Sequence, residues 1–463
     1  MIKTYGCQMN AYDSERMGDI LKTLGYALTS EMGQADLILL NTCHIREKAA
    51  AKVFSELGRI RQIQQTRQQH GKDMIIGVAG CVAQGVGDEI FKRAPYVDMV
   101  FGPQTYHRLP EFLSQALRKR ASQNIIFGRG SAQGPQKVPG SGIIDVTFPE
   151  EYKFDTLPSP TASGPAAFVS IQEGCDKFCH FCVVPYTRGA EYSRPAAAVI
   201  DDVKKLLAQG VKEITLLGQN VNAYHGAAAH GDATEWSLGR LCYALADLDG
   251  LARIRYTTSH PRDVDMDLIK AHRDIPQLMP HLHLPVQSGS DKILAAMNRR
   301  HTVKEYLTLI DAFRKARPGI TFTSDFIIAY PGETEEDFKG TLDLIDEVVF
   351  SQAYSFKFSA RPGTPAANID CTLSEAVKDE RLQRAQEKLG AQQQAFNTDC
   401  IGRTLPVLFE KVGRHSGQIV GRSPYLQAVY TEGPDTLIGQ IGLVDITGSS
   451  LNSLNGMLTP SSV

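Results

Sequence analysis

The chain has 463 residues, of which 42% are hydrophobic and 22% are charged, and its formal net charge is −2 at pH 7. This length exceeds one typical domain and predicts two or three, with enough apolar residues for real cores. The near-neutral charge excludes a chain-wide attraction to nucleic acid, so any RNA contact would rest on local basic patches. The N-terminus has no apolar signal-peptide core, and the longest apolar run, 74–83, is far shorter than the ~20 residues that span a bilayer. We therefore predict a cytoplasmic protein without a membrane contact.

The first part of the chain, to about residue 110, repeats one pattern three times: an apolar extended segment ends near a cysteine, and a helix follows. The segments are 2–5 before Cys7, 37–40 before Cys43 and 74–79 before Cys81. We expect the first helix to stop at Gly25 and the second to run from 45 to about Gly58. Strand–helix repeats with right-handed crossovers predict a parallel sheet, whose strands end at one edge. Three cysteines at that edge favour a three-thiolate iron–sulfur site over three unrelated buried cysteines.

Residues 121–165 are rich in Gly, Pro and Ser and predict a linker between domains. Nine cysteines in the whole chain is an odd count, which fits metal binding or catalysis better than a disulfide framework.

The stretch 174–182 carries Cys175, Cys179 and Cys182 in the spacing C-x-x-x-C-x-x-C. Three thiolates this close can each bind one iron of a cubane cluster and leave the fourth iron without a protein ligand. A zinc site completed by His180 is the alternative, but the paired cysteine elements usual for zinc are missing from this stretch. We therefore favour an open cluster. The other cysteines lack partners at ligand spacing and are predicted to be structural: Cys242, Cys371 and Cys400.

From residue 168 onward, apolar strands alternate with helices. The predicted strands are 168–171, 213–217, 253–257, 281–284, 321–328 and 354–358. Six such units are too few for an eight-fold barrel and fit a partial six-strand barrel, with its site at the carboxyl ends of the strands. Polar residues follow those ends: Glu173, Gln219, Asn220, Ser259, His260, Gln287, Ser288 and Arg361. Each alone could be a loop residue or helix cap, but together they are candidates to line a cavity.

The C-terminal part begins with a predicted helix over 373–396, whose charge run suggests a solvated face. The last 65 residues or so alternate apolar and polar positions between Gly-rich turns, which predicts a small all-β barrel. The fold class is therefore α/β: an N-terminal parallel-sheet domain, a partial six-strand (βα)6 barrel and a small C-terminal all-β barrel.

The cysteine spacing of 174–182 resembles that of the radical S-adenosylmethionine (SAM) enzymes. Longer strings along essentially the whole chain match the radical SAM methylthiotransferases. They are 4–10, 41–43 with 45–49, 80–84, 182–189, 217–222, 283–289 and 361–365. Within that family, the strings after Cys43 and Cys182 are most similar to the synthase of tRNA 2-methylthio-N6-isopentenyladenosine. The family usually has Gly-Phe where this chain has Ala329-Tyr330.

The resemblance implies a methylthiotransferase domain (1–117), a linker (118–163), a radical SAM core (164–397) and a TRAM domain (398–463). It implies two 4Fe–4S clusters and SAM as cofactors. Cys7, Cys43 and Cys81 would hold an auxiliary cluster, and Cys175, Cys179 and Cys182 the SAM cluster. The residues expected to bind SAM are Phe181, near its adenine, with Gln219, Asn220, Ser259 and Gln287.

The implied reaction places a methylthio group on C2 of the isopentenylated adenine on the 3′ side of the tRNA anticodon. One SAM would donate the methyl group and another the radical. The implied partners are the tRNA anticodon stem-loop, an electron donor of flavodoxin or ferredoxin type, and proteins that supply sulfur or clusters; a monomer is expected. The alternatives are methylthiolation of threonylcarbamoyl-adenosine tRNA or a ribosomal-protein aspartate, or a non-catalytic iron–sulfur or RNA-binding protein.

Basic residues that could contact RNA are few in the C-terminal tail. The tail 402–463 has four basic and four acidic residues, so other surfaces are expected to share any phosphate contact. Arg188, Arg194 and the run 118–120 are candidates, although each alone fits an ordinary solvated charge.

Overall fold

The computed structural model describes residues 1–43, 49–127, 142–149, 153–229 and 234–459. The chain forms two compact units. The first unit comprises 1–161 together with the short segment 183–189, and the second comprises 162–182 and 190–463. Among the described residues, no helix combines the length and the apolar character needed to cross a bilayer.

The first unit contains a five-stranded parallel sheet in the order β1-β2-β3-β4-β5. Its strands are β1 (Ile2–Thr4), β2 (Leu37–Thr42), β3 (Ile75–Gly80), β4 (Met99–Phe101) and β5 (Ile143–Asp145). Its helices are α1 (Gln8–Thr23), α2 (Ala49–Gln69), α3 (Cys81–Val86), α4 (Glu89–Arg93), α5 (Leu109–Phe127) and α6 (Val184–Arg188). The predicted parallel sheet is confirmed. The stretch predicted as a linker differs, because it contains the end of α5 and the strand β5.

Alternate side chains of β2 pack on opposite faces of the sheet. Ile38 and Leu40 belong to the core on the α2 side, whereas Leu37 and Leu39 belong to the core on the α1 side. Helix α2 therefore packs on one face of the sheet and helix α1 on the other.

The two predicted helix ends in this unit have different outcomes. Helix α1 ends at Thr23, and Gly25 then adopts φ +82°, as a glycine stop requires. Helix α2 does not stop at Gly58 but continues to Gln69. Gly58 lies on an exposed face, where a helical glycine costs only about 1 kcal/mol, and the flanking buried residues offset this. The predicted start of this helix, 45–48, lies outside the described residues.

The second unit begins with six parallel strands in two sheets, β6-β9-β12 and β13-β14-β15. Hydrogen bonds from Ile254 N to Gln277 O (2.7 Å) and from Met279 N to Ile254 O (3.0 Å) link the sheets into a partial barrel, as predicted. The barrel strands are β6 (Ala166–Ser170), β9 (Glu213–Leu217), β12 (Arg253–Tyr256), β13 (His281–His283), β14 (Thr321–Ile328) and β15 (Gln352–Lys357). Two hairpins add β7 (Gln172–Glu173) with β8 (Tyr192–Ser193), and β10 (His225–Ala227) with β11 (Glu235–Ser237).

Helices cover the outer face of this barrel. They are α7 (Ala196–Leu207), α8 (Leu238–Ala246), α9 (Met266–Asp274), α10 (Asp291–Ala296), α11 (Val303–Ala316), α12 (Glu335–Val348) and α13 (Glu375–Asp399). Helix α13, predicted over 373–396, starts from Ser374, whose side chain accepts a hydrogen bond from Val377 N.

The C-terminal residues form the predicted all-β barrel, which is closed in the order β16-β17-β18-β20-β19. Its strands are β16 (Thr404–Val412), β17 (Gln418–Arg422), β18 (Ala428–Glu432), β19 (Ile441–Ser450) and β20 (Ser453–Leu458). Alternate residues of β19 are buried, and Val444 and Ile446 join Phe409 and Val429 in one apolar core.

Two arginines of β12 attach the C-terminal barrel to the floor of the (βα)6 barrel. Arg253 and Arg255 both pair with the buried Glu213, at 3.5 and 2.9 Å. Their guanidinium nitrogens also donate to backbone carbonyls of the C-terminal barrel at 2.6–2.8 Å: Pro406, Arg422, Ser423 and Pro424. Each arginine thus satisfies the buried carboxylate and also anchors a neighbouring barrel.

Candidate functional site

The three N-terminal cysteines each follow a strand of the parallel sheet. Cys7 is the extended N-cap of α1, Cys43 comes directly after β2, and Cys81 is the first residue of α3 after β3. Cys43 and Cys81 are buried, whereas Cys7 is exposed. The strand-end placement expected from the sequence is therefore present for all three.

Glycine backbone brings these cysteines into contact. Gly6 has φ +121°, and a Cβ atom there would lie 2.2 Å from Cys43 Cβ and 3.0 Å from Cys43 Sγ. A hydrogen bond with Cys43 is the main cause that lowers the pKa of Cys7, to about 6, and the charge of Arg188 lowers it further. Cys81 interacts electrostatically with Cys7 and hydrogen-bonds Arg188. The structure thus gathers the three thiols at one rim of the sheet.

Arg188 is the cation beneath these thiols. Its Nη2 lies 2.5 Å from Asp13 Oδ2 and 3.3 Å from Asn10 Oδ1, and the Asn10 amide also contacts Cys7 Sγ at 3.6 Å. The side chain is 3% exposed, so Arg188 is not available for the RNA phosphate contact suggested from the sequence. A buried guanidinium beside thiols favours their thiolate form, which is the form that binds metal.

Arg188 comes from helix α6, which directly follows the second cysteine motif in the chain and belongs to the first unit. Gln104 Nε2 donates to the carbonyl of Arg188 at 2.5 Å, and Gly189 ends the helix with φ +79°. Sequence reasoning found Arg188 only as a surface charge, since a single Arg at the end of a short helix carries no signal of burial.

The second cysteine motif forms a loop after β7 in the second unit. Gly174 (φ +75°) and Phe178 (φ +47°) take left-handed backbone conformations, and Cys182 N donates to Cys179 O at 2.9 Å. Burial raises the pKa of Cys175 to about 11, and the neighbouring Cys179 contributes to the increase. Neighbouring cysteines whose pKa is raised in this way become thiolates when a metal centre compensates their charge.

Residues 296–299, at the end of α10 and directly after it, hold this loop in place. Asn298 Nδ2 donates to Phe178 O at 3.0 Å, and His180 N donates to Met297 O at 3.0 Å. The His180 ring also forms a hydrogen bond between its Nδ1 atom and Ala296 O (2.9 Å), and this bond helps to hold the loop. Arg299 Nη1 lies 3.6 Å from Cys179 Sγ, and its Nη2 donates to Pro285 O. Nothing in the sequence singles out Arg299, although its guanidinium contacts a sulfur atom of this motif.

Gln219 and Asn220, predicted to bind SAM, lie beside this loop after β9. Gln219 Oε1 accepts a hydrogen bond from Gly174 N at 2.6 Å, so the Gln219 side chain orders the cysteine loop. Asn220 Nδ2 donates to Asp263 at 2.8 Å, while Asn220 Oδ1 is buried without a hydrogen-bond partner. Asn220 therefore keeps an acceptor for a ligand, whereas the amide oxygen of Gln219 is already used.

The other three predicted SAM residues differ from one another. Ser259 Oγ is buried without a hydrogen-bond partner. Gln287 has φ +79° and joins β14 through its backbone, with Gln287 N donating to Asp325 O at 3.0 Å. Phe181 packs against the small apolar cluster that contains Met297 and Tyr330, which places its ring in a packed environment.

A polar ligand fits this region because buried polar atoms there lack protein partners. Besides Asn220 Oδ1 and Ser259 Oγ, they include Arg299 Nε and His301 Nε2. Burial, followed by the charge of Arg299, lowers the pKa of His301 to about 4, so this ring is neutral at pH 7. No three His, Cys, Asp or Glu side chains within the described ranges converge on one point as ligands of a single ion do. The thiolates of a cubane bind one iron each and need no such point.

Comparison with known families gives three matches in chain order. Residues 1–102 match the family described as uncharacterized protein family UPF0004, 169–345 match the radical SAM superfamily, and 399–459 match the TRAM domain. This domain order is that of the radical SAM methylthiotransferases. Methylthiotransferase architecture supports methylthiolation in general, and the TRAM match suggests RNA binding. Radical SAM relatives bind a 4Fe–4S cluster and SAM.

Among solved structures, the radical SAM methyltransferase TsrM from Kitasatospora setae, with cobalamin and a 4Fe–4S cluster bound, is similar in fold. It has a TM-score of 0.54 and 14% identity, over 77% of this chain and 71% of TsrM. A second structure of the same enzyme, with tryptophan substrate and a SAM analogue, has a TM-score of 0.50 and 14% identity, over 77% and 67%. At this identity the likeness concerns the fold alone.

Proposed function

We propose that this chain methylthiolates C2 of N6-isopentenyladenosine on the 3′ side of the anticodon in tRNA. The gathering of Cys7, Cys43 and Cys81 at one sheet edge carries the proposal, because a second set of three thiols distinguishes a methylthiotransferase from a simple radical SAM enzyme. The strings after Cys43 and Cys182 support the isopentenyladenosine substrate. The TRAM match favours an RNA over a ribosomal-protein substrate.

Within this proposal the first three cysteines hold an auxiliary 4Fe–4S cluster, and Cys175, Cys179 and Cys182 hold the SAM cluster. When bound, the clusters and SAM supply the methyl group, the sulfur and a radical able to remove hydrogen from an unreactive aromatic carbon. The protein's own part is to bind and orient. Asn298 and Arg299 fix the cysteine loop, and the free acceptors of Asn220 and Ser259 suit the hydroxyl and amino donors of SAM.

The domain boundaries 1–117, 164–397 and 398–463 stay part of the proposal, as do the monomeric state and the cytoplasmic location. An electron donor of flavodoxin or ferredoxin type and proteins that supply sulfur or clusters complete it.

The test is nucleoside mass spectrometry of total tRNA from cells that lack the protein and cells that carry it. We expect the 2-methylthio nucleoside only in cells that carry it, and its unthiolated precursor in the others. Cys7→Ser and Cys175→Ser should each abolish the product, whereas Cys242→Ala, a buried core position, should retain it. Unchanged methylthio-isopentenyladenosine in cells without the protein would refute the substrate, and product formation by Cys7→Ser would refute the role of the first cysteine set.

A further inference from the structure

Strands β13, β14 and β15 present two different faces. Leu282, Phe322 and Phe326 point outward into the core beneath the helices. The alternate residues therefore point into the barrel, and the register places Asp325 opposite Tyr354 and Ile327 opposite Phe356. Helix α13 covers the outer side of β15, where Lys357 pairs with Asp379 at 2.6 Å. Tyr354 and Phe356 thus lie on the inner wall.

The two inner aromatic rings are unusually open to solvent. Tyr354 is 54% exposed and Phe356 46%, although an inward-facing side chain of a packed barrel is normally covered. Exposed aromatic side chains that stand next to each other typically mark a binding surface. Polar groups adjoin them: His283 Nε2 lies 3.6 Å from Asp325 Oδ2, and His283 Nδ1 lies 3.0 Å from Thr323 Oγ1.

This wall continues to the loop that carries the second cysteine motif. Phe358, the next inward residue after Phe356, stacks edge-on against Tyr330 with ring centroids 5.1 Å apart. Tyr330 belongs to the same apolar cluster as Ile327 and Phe181, and Phe181 lies within the cysteine motif. The exposed rings of Tyr354 and Phe356 therefore lie next to the packed apolar cluster that surrounds the cysteine loop.

The chemistry of the wall selects a flat, uncharged ring with donors on its edge. Aromatic side chains stack on the π-face of any base, at about 1–3 kcal/mol per base. The carboxylate of Asp325 would repel a phosphate group but can accept a hydrogen bond from a base N–H. The TRAM match points to RNA as the source of that base.

We infer that the inner wall of β13–β15 binds the target nucleobase of the RNA, with Tyr354 and Phe356 stacking on its face and Asp325 accepting from its edge. The inference rests on the proposed function and names the surface that would receive the base. Adenine of SAM has the same ring chemistry, so the experiment must separate the two sources.

The test measures binding of the reconstituted full chain to a fluorescently labelled anticodon stem-loop by anisotropy. Two RNAs are compared, one with the isopentenylated adenosine and one with an abasic site at that position. We expect the wild type to bind the first RNA about 5- to 150-fold more tightly, the range that stacking of one base provides. Tyr354→Leu and Phe356→Leu should each reduce this ratio toward one. Tyr354→Phe, which keeps an aromatic ring, should leave the ratio at the wild-type value. Tyr243→Leu, an exposed tyrosine of α8, serves as the matched control.

Each outcome decides between assignments. A ratio that stays at the wild-type value in both leucine variants overturns the inference. Loss of SAM affinity in those variants, with the RNA ratio retained, assigns the wall to the adenine of SAM and also overturns it. If the wild type itself neither prefers the modified RNA nor forms product from it, the proposed function fails first, and that result is distinguishable because it does not depend on the variants.

Discussion

Replacing Arg188 with methionine tests the buried ion pair beneath the first cysteine set. Arg188 and Asp13 are 3% and 2% exposed and lie 2.5 Å apart, so the substitution leaves a carboxylate in a buried site. Lys153 Nζ, 3.8 Å from the other Asp13 oxygen, becomes its remaining cation. Breaking a buried pair by removing one partner costs 3–5 kcal/mol, and Lys153 keeps this case at the lower end, about 3 kcal/mol.

The assay is hydrogen exchange of peptides that cover β2 and β3, in the full chain prepared without clusters. A loss of about 3 kcal/mol lowers the protection of these amides roughly 100-fold where exchange follows opening of the first unit. Trp236, the single tryptophan, lies in the second unit and supplies an internal control through its fluorescence in a urea titration.

A compensating variant makes this prediction falsifiable. Asp13→Asn in the Arg188→Met background removes the isolated charge and should recover part of the lost protection. The reasoning is refuted if Arg188→Met leaves the exchange of β2 and β3 unchanged. It is also refuted if the double variant is no more protected than the single one.

The following three predictions concern other positions. Gly6→Ala should lose about half of the bound iron, because its methyl group would collide with Cys43. Gly25→Ala, also at positive φ but in open space, is the control and should keep its iron. Equal iron contents in the two variants would contradict the assignment. Burial raises the pKa of Glu333 to about 7. Between the ordinary pKa of a glutamate and pH 7, the folded chain therefore keeps a proton that the unfolded chain has already released. Stability of the second unit should therefore fall by about 2.5 kcal/mol from pH 5 to pH 8. Urea titrations should show that this pH dependence vanishes in Glu333→Gln, and an equal pH dependence in the variant would exclude Glu333 as its cause. Arg253→Met removes two hydrogen bonds to the C-terminal barrel, each worth roughly 1.5–3 kcal/mol. Limited proteolysis should therefore cut near 399–403 sooner than in the wild type. An unchanged cleavage rate would show that other contacts hold the barrel.

The parts of the fold with strong periodic signals could be predicted from the sequence. The apolar runs of β2 and β3 and the eight-residue β14 are long enough to identify, and the cysteines after the N-terminal strands marked the sheet edge. Strands β4 and β5 have three residues each, which is too short for a period, and β5 follows a Gly- and Pro-rich stretch that predicted a linker.

The site was harder to predict, because residue type does not reveal burial. From its residue type, Arg188 was a candidate for an RNA phosphate contact. In the structure its side chain is buried and pairs with Asp13 inside the first unit. Arg299 and Arg300 stand side by side in the sequence, yet Arg299 contacts Cys179 whereas Arg300 donates to Asn298. Ala329, the departure from the family's glycine, has φ +59° and is fully buried, so this backbone conformation is retained without glycine.

The placement of 183–189 in the first unit has a consequence for synthesis of the chain. A ribosome that has completed residues 1–161 has not yet made Arg188, so Asp13 waits for its partner while the second cysteine motif emerges. At about 5–20 residues per second this delay lasts a few seconds. The first unit can therefore finish folding only after translation has passed residue 189, and a fragment that ends at 161 would leave Asp13 with Lys153 but without Arg188.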